Sequence, residues 1–336
     1  MKEWRNMLAA GTRAVALDFG ADATRLLALG GSGGWRRTAA CTLPRLEPGR
    51  AAPASLVQAL TERVREHGLR GAACRITIAG DAFRTELTQL PAMNDEELRA
   101  SARFEALDRF GVEENDVVIH HTVLDAASTD RRSVMLFAVP QTTVRQAAAL
   151  AMDAGLTPSS VEHAGLAALR GIERWQGESQ LGLVACLQIE ARVATLMLLR
   201  DGDLVQMRCM QGDWQVAASA PSRPTPTPTP DADSIPLDPV DAVSPWRWSC
   251  LAEETLRCLR HATGDSAWPA RMLVTGPAAG DDSLLDALRG VCGLTVQPAA
   301  SDHWMDGTPN LTGEAWASAL GAASVDMKSA NLRRAA

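Results

Sequence analysis

Two stretches of the sequence carry the same succession of strands and turns. A buried strand, a tight turn and a second strand run through residues 14–29, and the same pattern begins again at Leu181. Each copy continues into a third strand, so each predicts a three-stranded meander. The corresponding turns follow Asp18 and Gln188, which lie 170 residues apart, about half of the chain. We therefore expect two similar lobes, each built on one copy.

Helical segments lie between the two copies and after the second one. Asn94, with Glu97 three residues later, is typical of a helix N-cap and places the start of one helix at Asp95. Apolar spacing predicts helices over residues 56–67, 95–110, 142–154, 161–174, 250–262, 282–291 and 314–323. Alternating or continuous apolar runs predict strands over residues 75–78, 83–89, 117–124, 133–139, 271–275 and 294–296.

The order of these elements predicts an α/β protein with a duplicated architecture. We expect an N-terminal lobe at 1–170, with an inserted α/β subdomain at about 75–140, and a C-terminal lobe at 171–330. Residues 218–244 differ in composition, because they are rich in proline and threonine. Such a segment lacks the amide donors and apolar surface of a packed core, so we expect a disordered surface insertion.

Charge and hydropathy exclude several partners. The formal net charge is −7 at pH 7, which gives no field that attracts nucleic acid or anionic lipid. The longest apolar stretch, residues 181–199, contains Glu190 and Arg192 near its centre, so we expect no membrane span. Arg5 and Arg13 enclose too few apolar residues for a secretory signal, and we expect a cytoplasmic protein.

The reactive residue types form no catalytic constellation. The chain has only two lysines, Lys2 and Lys328, so a P-loop or an interior Schiff-base lysine is not expected. The seven cysteines are scattered without a C-x-x-C pair, which predicts neither a disulfide framework nor a zinc site. The G-x-S-x-G pattern at residues 30–34 joins two predicted strands and indicates a flexible hairpin loop instead of a nucleophile elbow.

A D-x-G turn follows the first buried strand at Asp18 and Gly20. The glycine lets a phosphate group approach the backbone, and a carboxylate at this place can orient a water molecule or a metal ion. An ordinary turn has the same sequence, so the pattern alone leaves both interpretations open.

Residues 15–29 (VALDFGADATRLLAL) resemble the first phosphate segment of actin-like ATPases, specifically the PilM family of type IV pilus assembly proteins. Further segments resemble that family in the same order, so the resemblance extends over almost the whole chain. The most specific of them is Leu90-Pro91 followed by residues 93–110 (MNDEELRASARFEALDRF). The others are residues 151–170, 273–280 and 318–324.

The resemblance implies a duplicated actin-like (ribonuclease H-like) fold, with ATP and Mg²⁺ between the lobes. It also implies a peripheral place on the inner face of the inner membrane. There the protein would hold the N-terminal cytoplasmic peptide of a PilN-like bitopic protein and link the pilus alignment complex to its motor. The candidate nucleotide-binding residues that it assigns are Asp18, Gly20, Arg25 in place of the family's lysine, and Gly276.

Three departures from the family pattern weaken the expected nucleotide site. The second D-x-G turn is replaced by Gln188-Ile189-Glu190, which puts a carboxylate where phosphates would lie. Pro277 removes an amide donor from the adenosine loop, and Ala21 lacks a hydroxyl. We therefore expect an adaptor without catalysis and not a working ATPase, which remains the alternative. A second alternative is the related GspL component of type II secretion, whose following membrane helix is absent from this sequence.

The partner site is expected in the segment with the most specific resemblance. Leu90 and Pro91 would form its extended part, and Ala100, Arg103, Phe104 and Leu107 would lie on the following helix. A short peptide can lie along such a strand and place apolar side chains in neighbouring pockets. An apolar stripe of this kind also fits ordinary core packing, so both interpretations stay open.

Overall fold

The computed structural model describes residues 14–30, 36–47, 49–124, 130–176, 182–214, 245–264, 267–299 and 313–332. The predicted insertion at 218–244 lies outside these residues.

The strands are β1 (Ala14–Phe19), β2 (Thr24–Gly30), β3 (Arg36–Leu43), β4 (Ala73–Ile78), β5 (Arg84–Pro91), β6 (Val117–Val123), β7 (Arg131–Pro140), β8 (Thr157–His163), β9 (Leu183–Ile189), β10 (Val193–Arg200), β11 (Asp203–Gln211), β12 (Arg271–Thr275) and β13 (Thr295–Pro298). The helices are α1 (Ala54–Glu66), α2 (Asp95–Phe110), α3 (Gln141–Asp153), α4 (Ala164–Gln176), α5 (Pro245–Thr263), α6 (Asp282–Cys292) and α7 (Ala317–Leu332). Short 3₁₀ turns occur at Gly80–Ala82 and Gly313–Trp316.

Two five-stranded sheets have the same topology. The first has the order β3-β2-β1-β4-β8 and the second the order β11-β10-β9-β12-β13. In each sheet the meander is antiparallel, and its first strand pairs in parallel with the strand that follows a crossover. The duplicated α/β architecture predicted from the repeat is therefore confirmed.

Strand β8 was not predicted. Its first residues were assigned to no element and its last ones to a helix over 161–174, whereas the structure has a strand up to His163 and begins α4 at Ala164. The strand is at the sheet edge and mostly half-buried, so its residues Thr157-Pro158-Ser159-Ser160 carry little apolar pattern. Its parallel pairing with β4, a long-range contact, determines its conformation instead.

The inserted subdomain is a three-stranded sheet in the order β5-β7-β6, with α2 on one face. Its expected start near residue 75 is wrong, because β4 belongs to the first five-stranded sheet. The small sheet therefore begins at Arg84. Its apolar contacts with α2 come from Leu98, Ala102 and Ala106 on the helix side.

The opposite face of the small sheet packs against the second lobe. Met135 and Phe137 of β7 share one core cluster with Val184 of β9 and Met197 of β10. All four side chains are almost completely buried. The subdomain, although inserted in the first half of the chain, therefore bridges the two lobes through apolar contacts.

Helices α4 and α7 cross at close range between the lobes. Leu169 of α4 packs in the cluster on the second sheet, whereas Leu320 of α7 packs against β1 and β2 of the first sheet. Each helix thus connects its own half of the chain to the other. A Cβ atom on Gly321 would lie 1.6 Å from the Ala167 carbonyl oxygen, and one on Gly171 would lie 2.4 Å from the Ala317 carbonyl oxygen. Only glycine allows this approach.

We expect Gly321→Ala to destabilise the protein, because the added methyl group would overlap the α4 backbone. Overpacking of this kind costs roughly 1–3 kcal/mol of unfolding free energy. Gly290→Ala in α6 is the matched control, since a Cβ there meets no atom within 4 Å and alanine favours helix by about 1 kcal/mol. Urea unfolding measures both variants, and equal stabilities would contradict the close crossing.

Candidate functional site

The cleft between the lobes is formed by two turns that follow equivalent strands. The turn after β1 begins with Gly20, and the turn after β9 begins with Glu190. Both have the same backbone hydrogen bond, from Gly20 N–H to the Ala23 carbonyl and from Glu190 N–H to the Val193 carbonyl. The predicted equivalence of the two turns is confirmed, and they face each other across the cleft.

Asp18 lies at the end of β1 and is buried. Thr77 on the paired strand β4 donates its hydroxyl to Asp18 Oδ1 at 2.6 Å, and Arg25 Nη1 lies 3.6 Å from Asp18 Oδ2. Burial raises the pKa of Asp18 to about 6, although Arg25 and Thr77 both favour the charged form. The carboxyl group thus depends on these two neighbours to remain ionised at neutral pH.

Arg25 is also buried, and its guanidinium is engaged within the first lobe. It pairs with Asp22 through both terminal nitrogens, and Nη1 donates to Asp22 Oδ1 at 3.1 Å. Burial opposes its charge, but Asp22 and Asp18 raise its pKa above the ordinary value. The candidate phosphate ligand is therefore already neutralised by two carboxylates of its own chain.

Gly20 is required by this ion pair. A Cβ atom at this position would lie 2.8 Å from Arg25 Nη1 and 2.9 Å from Asp22 Oδ1. The close backbone approach predicted for a phosphate is used here by the Arg25–Asp22 pair.

Glu190 reaches from the second lobe into the first. Its Oε1 accepts the Ala21 N–H at 3.3 Å, and its Oε2 accepts the Gly80 N–H at 3.3 Å. The residue is 5% exposed. Burial, together with nearby Asp18, raises the pKa of Glu190 to about 8, although the Gly80 N–H opposes this.

Gly276 packs against the backbone of Ile189, the residue before Glu190. It has a φ of +102°, and a Cβ atom there would lie 2.0 Å from the Ile189 carbonyl oxygen. Glycine is therefore needed for both the backbone conformation and the contact with β9. The structure thus places Asp18, Gly20, Arg25 and Gly276 around one cleft. The nucleotide-binding role that the resemblance assigns to them stays a prediction.

Sequence reasoning missed Gly80, Thr77 and His163 around this cleft. Thr77 pairs with Asp18 as Thr275 pairs with Gln188, so the internal repeat carried a signal for Thr77. His163 is buried beside Gly80, its Nδ1 accepts the Gly165 N–H at 2.9 Å, and burial lowers its pKa to about 3. A neutral imidazole is the form consistent with this hydrogen bond.

The residues present do not fit the phosphates of ATP in this arrangement. The amides of Ala21 and Gly80 already bind Glu190, and Arg25 is paired with Asp22. A cavity beside Gly20 and Asp81, lined by first-lobe residues, has a volume of about 20 Å³, close to the room for one water molecule. Among the described residues, no group of three or more His, Cys, Asp or Glu side chains could hold a metal ion.

A second candidate site is a surface groove between the end of β5 and α2. Its volume is about 430 Å³. It is lined by Leu90, Pro91, Met93, Ala100, Ser101, Phe104 and Glu105. Phe104 is 70% exposed and Ala100 is exposed, so the alternative that this stripe is core does not hold for them.

Helix α2 presents this groove because its core face is different from the predicted stripe. Leu98, Ala102 and Ala106 are buried against the small sheet, while Leu107 is half-buried. Their spacing of four residues turns Ala100 and Phe104 outward. The predicted capping box is present, with Asn94 Oδ1 accepting the Glu97 N–H at 2.9 Å. Arg103, also predicted, is exposed and pairs with Glu114.

The fold and this cleft define a class: a two-lobed α/β protein with the duplicated actin-like fold. Its similarity to solved structures is consistent with this class. A chain of the PilM–PilN type IV pilus biogenesis complex matches at a TM-score of 0.72 and 21% identity, covering 92% of this chain and 97% of that one. The fold predicted from the PilM resemblance is therefore confirmed.

Two further solved structures are more distant. A Bacteroides thetaiotaomicron protein with an actin-like ATPase fold and unknown function has a TM-score of 0.49 and 10% identity, covering 86% of this chain and 92% of that one. The cytoplasmic domain of EpsL, an inner-membrane component of the Vibrio cholerae type II secretion system, has a TM-score of 0.46 and 10% identity, with coverages of 79% and 82%. No protein-family model and no curated protein matches the sequence.

Across the described residues, none of the helices combines the length and apolarity needed to span a membrane.

The stability of the protein should decrease as the pH rises, because Glu190 then loses its proton. Its pKa in the folded protein, about 8, lies above its ordinary value of 4.5, so folding favours the protonated form. This contribution is complete below pH 4.5 and is lost as the pH rises towards 8. We expect the melting temperature of the wild type to decrease as the pH rises from 5 to 9. The melting temperature of Glu190→Gln, whose side chain cannot ionise, should decrease less over the same range. Parallel pH profiles in differential scanning fluorimetry would contradict this assignment.

Nucleotide binding should be weak in the wild type and improved by restoring the second turn. Glu190→Gly frees two amides, and Gln188→Asp places a carboxylate on β9 at the position equivalent to Asp18. We expect the double variant to bind ATP and Mg²⁺ more tightly in isothermal titration calorimetry. A wild-type Kd at or below about 1 μM, roughly −8 kcal/mol, would contradict the degenerate site.

Proposed function

We propose that this chain is a PilM-like adaptor of a type IV pilus or related secretion assembly. It lies on the cytoplasmic face of the inner membrane and binds the N-terminal cytoplasmic peptide of a PilN-like membrane protein. Through this contact it links the membrane part of the alignment complex to the motor. It acts as a scaffold without nucleotide hydrolysis.

One observation carries this proposal: the match to a chain of the PilM–PilN complex extends over 92% of this chain and 97% of the other. Such coverage is too high for either lobe to be left out of the match. The segment with the most specific resemblance to the PilM family, Leu90-Pro91 and residues 93–110, contains the strand end and the helix that form the surface groove.

The groove has the chemistry of a peptide site. Its apolar wall is formed by Pro91 and the exposed ring of Phe104, whereas Leu90 lies beneath them, 5% exposed and packed in the core of the small sheet. Polar groups of Ser101 and Glu105 also line it. β5 is an edge strand of the small sheet, so main-chain groups of a peptide can run beside it. An exposed aromatic residue with a neighbouring pocket is the usual centre of binding energy in a short-peptide interface.

A nucleotide-independent role agrees with the interior of the cleft. Arg25 is paired with Asp22, and the amides of Ala21 and Gly80 bind Glu190. The subdomain that carries the groove is packed on the second lobe by Met135 and Phe137. The adaptor surface therefore has a fixed relation to both lobes, and we expect peptide binding to be unchanged by ATP or by a metal chelator.

Phe104→Ala should weaken binding of a fluorescent PilN-like N-terminal peptide at least about tenfold, or roughly 1.4 kcal/mol, in an anisotropy titration. Arg103→Glu should also weaken it, because it places a second acidic group beside Glu114. Met152→Ala is the matched control, since Met152 is an apolar residue of α3 that is 57% exposed away from the groove. Circular dichroism should show native helix content in all three variants.

A photo-crosslinking peptide tests separately whether the partner binds and where on the protein it binds. Crosslinks on residues 90–107 support the groove. Crosslinks beside Thr143 and Gln146, which line the small cavity near Gly20, would keep the adaptor role but move the site. Loss of capture on deletion of residues 218–244, with all groove variants unaffected, would place the site in the insertion. No peptide binding by the wild type would overturn the proposed function.

A further inference from the structure

The position of Glu190 requires a physical explanation. Its carboxyl group is buried among acidic neighbours, with Asp18, Asp22 and Asp81 all acting to raise its pKa. A buried carboxyl group without compensation is costly, and an exposed rotamer would avoid that cost. Something in the first lobe must therefore hold the group in the cleft.

Two backbone amides of the first lobe provide this compensation. The Ala21 N–H belongs to the turn after β1, and the Gly80 N–H to the 3₁₀ turn after β4. Each amide binds one oxygen of the Glu190 carboxyl group. We call these two N–H groups the amide cradle. Arg25 lies near enough to Glu190 for the two groups to interact electrostatically.

The amide cradle is preorganised by its surroundings. A Cβ atom on Gly80 would lie 3.1 Å from Thr195 Oγ1 and 3.2 Å from His163 Nε2, so this turn is packed tightly against β8 and the second lobe. The Ala79 N–H donates to the Phe19 carbonyl at 3.0 Å and ties the turn after β4 to the end of β1. The Gly80 N–H thus keeps its position through contacts that do not involve Glu190. The Ala21 N–H lies in a turn that the hydrogen bond from the Gly20 N–H to the Ala23 carbonyl closes at 3.0 Å.

We propose that the amide cradle is a binding site for a carboxyl group and that Glu190 is its tethered ligand. In the wild type the second lobe supplies this ligand to the first, so the cleft is closed without any bound molecule. When the side chain is shortened, the amide cradle will accept a small free carboxylic acid instead. This assignment does not depend on the proposed adaptor function.

The proton explains why a carboxyl group is preferred over phosphate. With a pKa near 8, the Glu190 carboxyl group is mainly neutral at pH 7 and adds no charge beside Asp18 and Asp22. A phosphate group would bring up to two negative charges among the same neighbours, with Arg25 already paired. The amide cradle therefore favours a carboxyl group, which carries at most one negative charge, over phosphate.

The test measures hydrogen exchange of the two amides by mass spectrometry at the resolution of single residues. In Glu190→Ala, exchange at Ala21 and Gly80 should become at least about tenfold faster than in the wild type. Acetate matches the missing atoms and should restore protection at pH 6, whereas chloride at equal ionic strength should not. In Glu190→Gly, propionate should restore more protection than acetate, because one more carbon is missing.

Glu62→Ala is the matched control, since Glu62 is an exposed glutamate of α1 that accepts a hydrogen bond from Gln58. Acetate should leave the exchange of the Ala21 and Gly80 amides unchanged in this variant. Glu190→Gln keeps the side-chain shape and one acceptor oxygen, and so tests the same point if the shorter variants do not fold. It should speed exchange at one or both amides and show no acetate response.

Three results would overturn the proposal. The first is unchanged exchange at both amides in every Glu190 variant. The second is an acetate response in Glu62→Ala equal to that in Glu190→Ala. The third is stronger protection of the wild-type amides by ATP and Mg²⁺, which would show that phosphate displaces the tethered ligand.

Discussion

The close crossing of α4 and α7 determines where the two lobes meet. Gly171 and Gly321 let the helix backbones approach to a distance that a methyl group would prevent. Since α7 packs on the first sheet and α4 on the second, this approach fixes the distance between the sheets. The turns at Gly20 and Glu190 then face each other within reach of one glutamate side chain. Both the contents of the cleft and its closure therefore depend on backbone contact at two glycines.

Electrostatics in the cleft follow from this geometry. Asp18 and Glu190 are buried near one arginine, and Asp22 pairs with that arginine from an exposed position. Burial is therefore the main influence on the pKa values of Asp18 and Glu190. Two acidic groups remain compatible with one guanidinium when the third acidic group is protonated and bound by amides. The cleft is in this way balanced by its own residues, without an ion or ligand from outside.

Local patterns predicted most of the fold, and the missed parts depend on long-range contacts. The meanders and the capping box at Asn94 could be read from the sequence, because each rests on nearby residues or on the repeat. β8 was missed because its pairing with β4 outweighs a weak apolar pattern. The sequence also indicated a carboxylate at Glu190 but not its two amide donors, since Gly80 is 110 residues away. The outward direction of Phe104 became clear only when the core face of α2 was known.

The cleft and the groove beside α2 differ in whether their main binding groups already have partners. In the cleft, the amides of Ala21 and Gly80 bind Glu190, and Arg25 pairs with Asp22, so an external ligand must compete with tethered groups of high effective concentration. At α2 the opposite holds, because a 70% exposed phenylalanine borders a groove of about 430 Å³. Free energy is available from burying that ring, whereas opening the cleft would cost several internal contacts. These contributions support the proposed partner site at the surface of the inserted subdomain, for which the two lobes would be a rigid support.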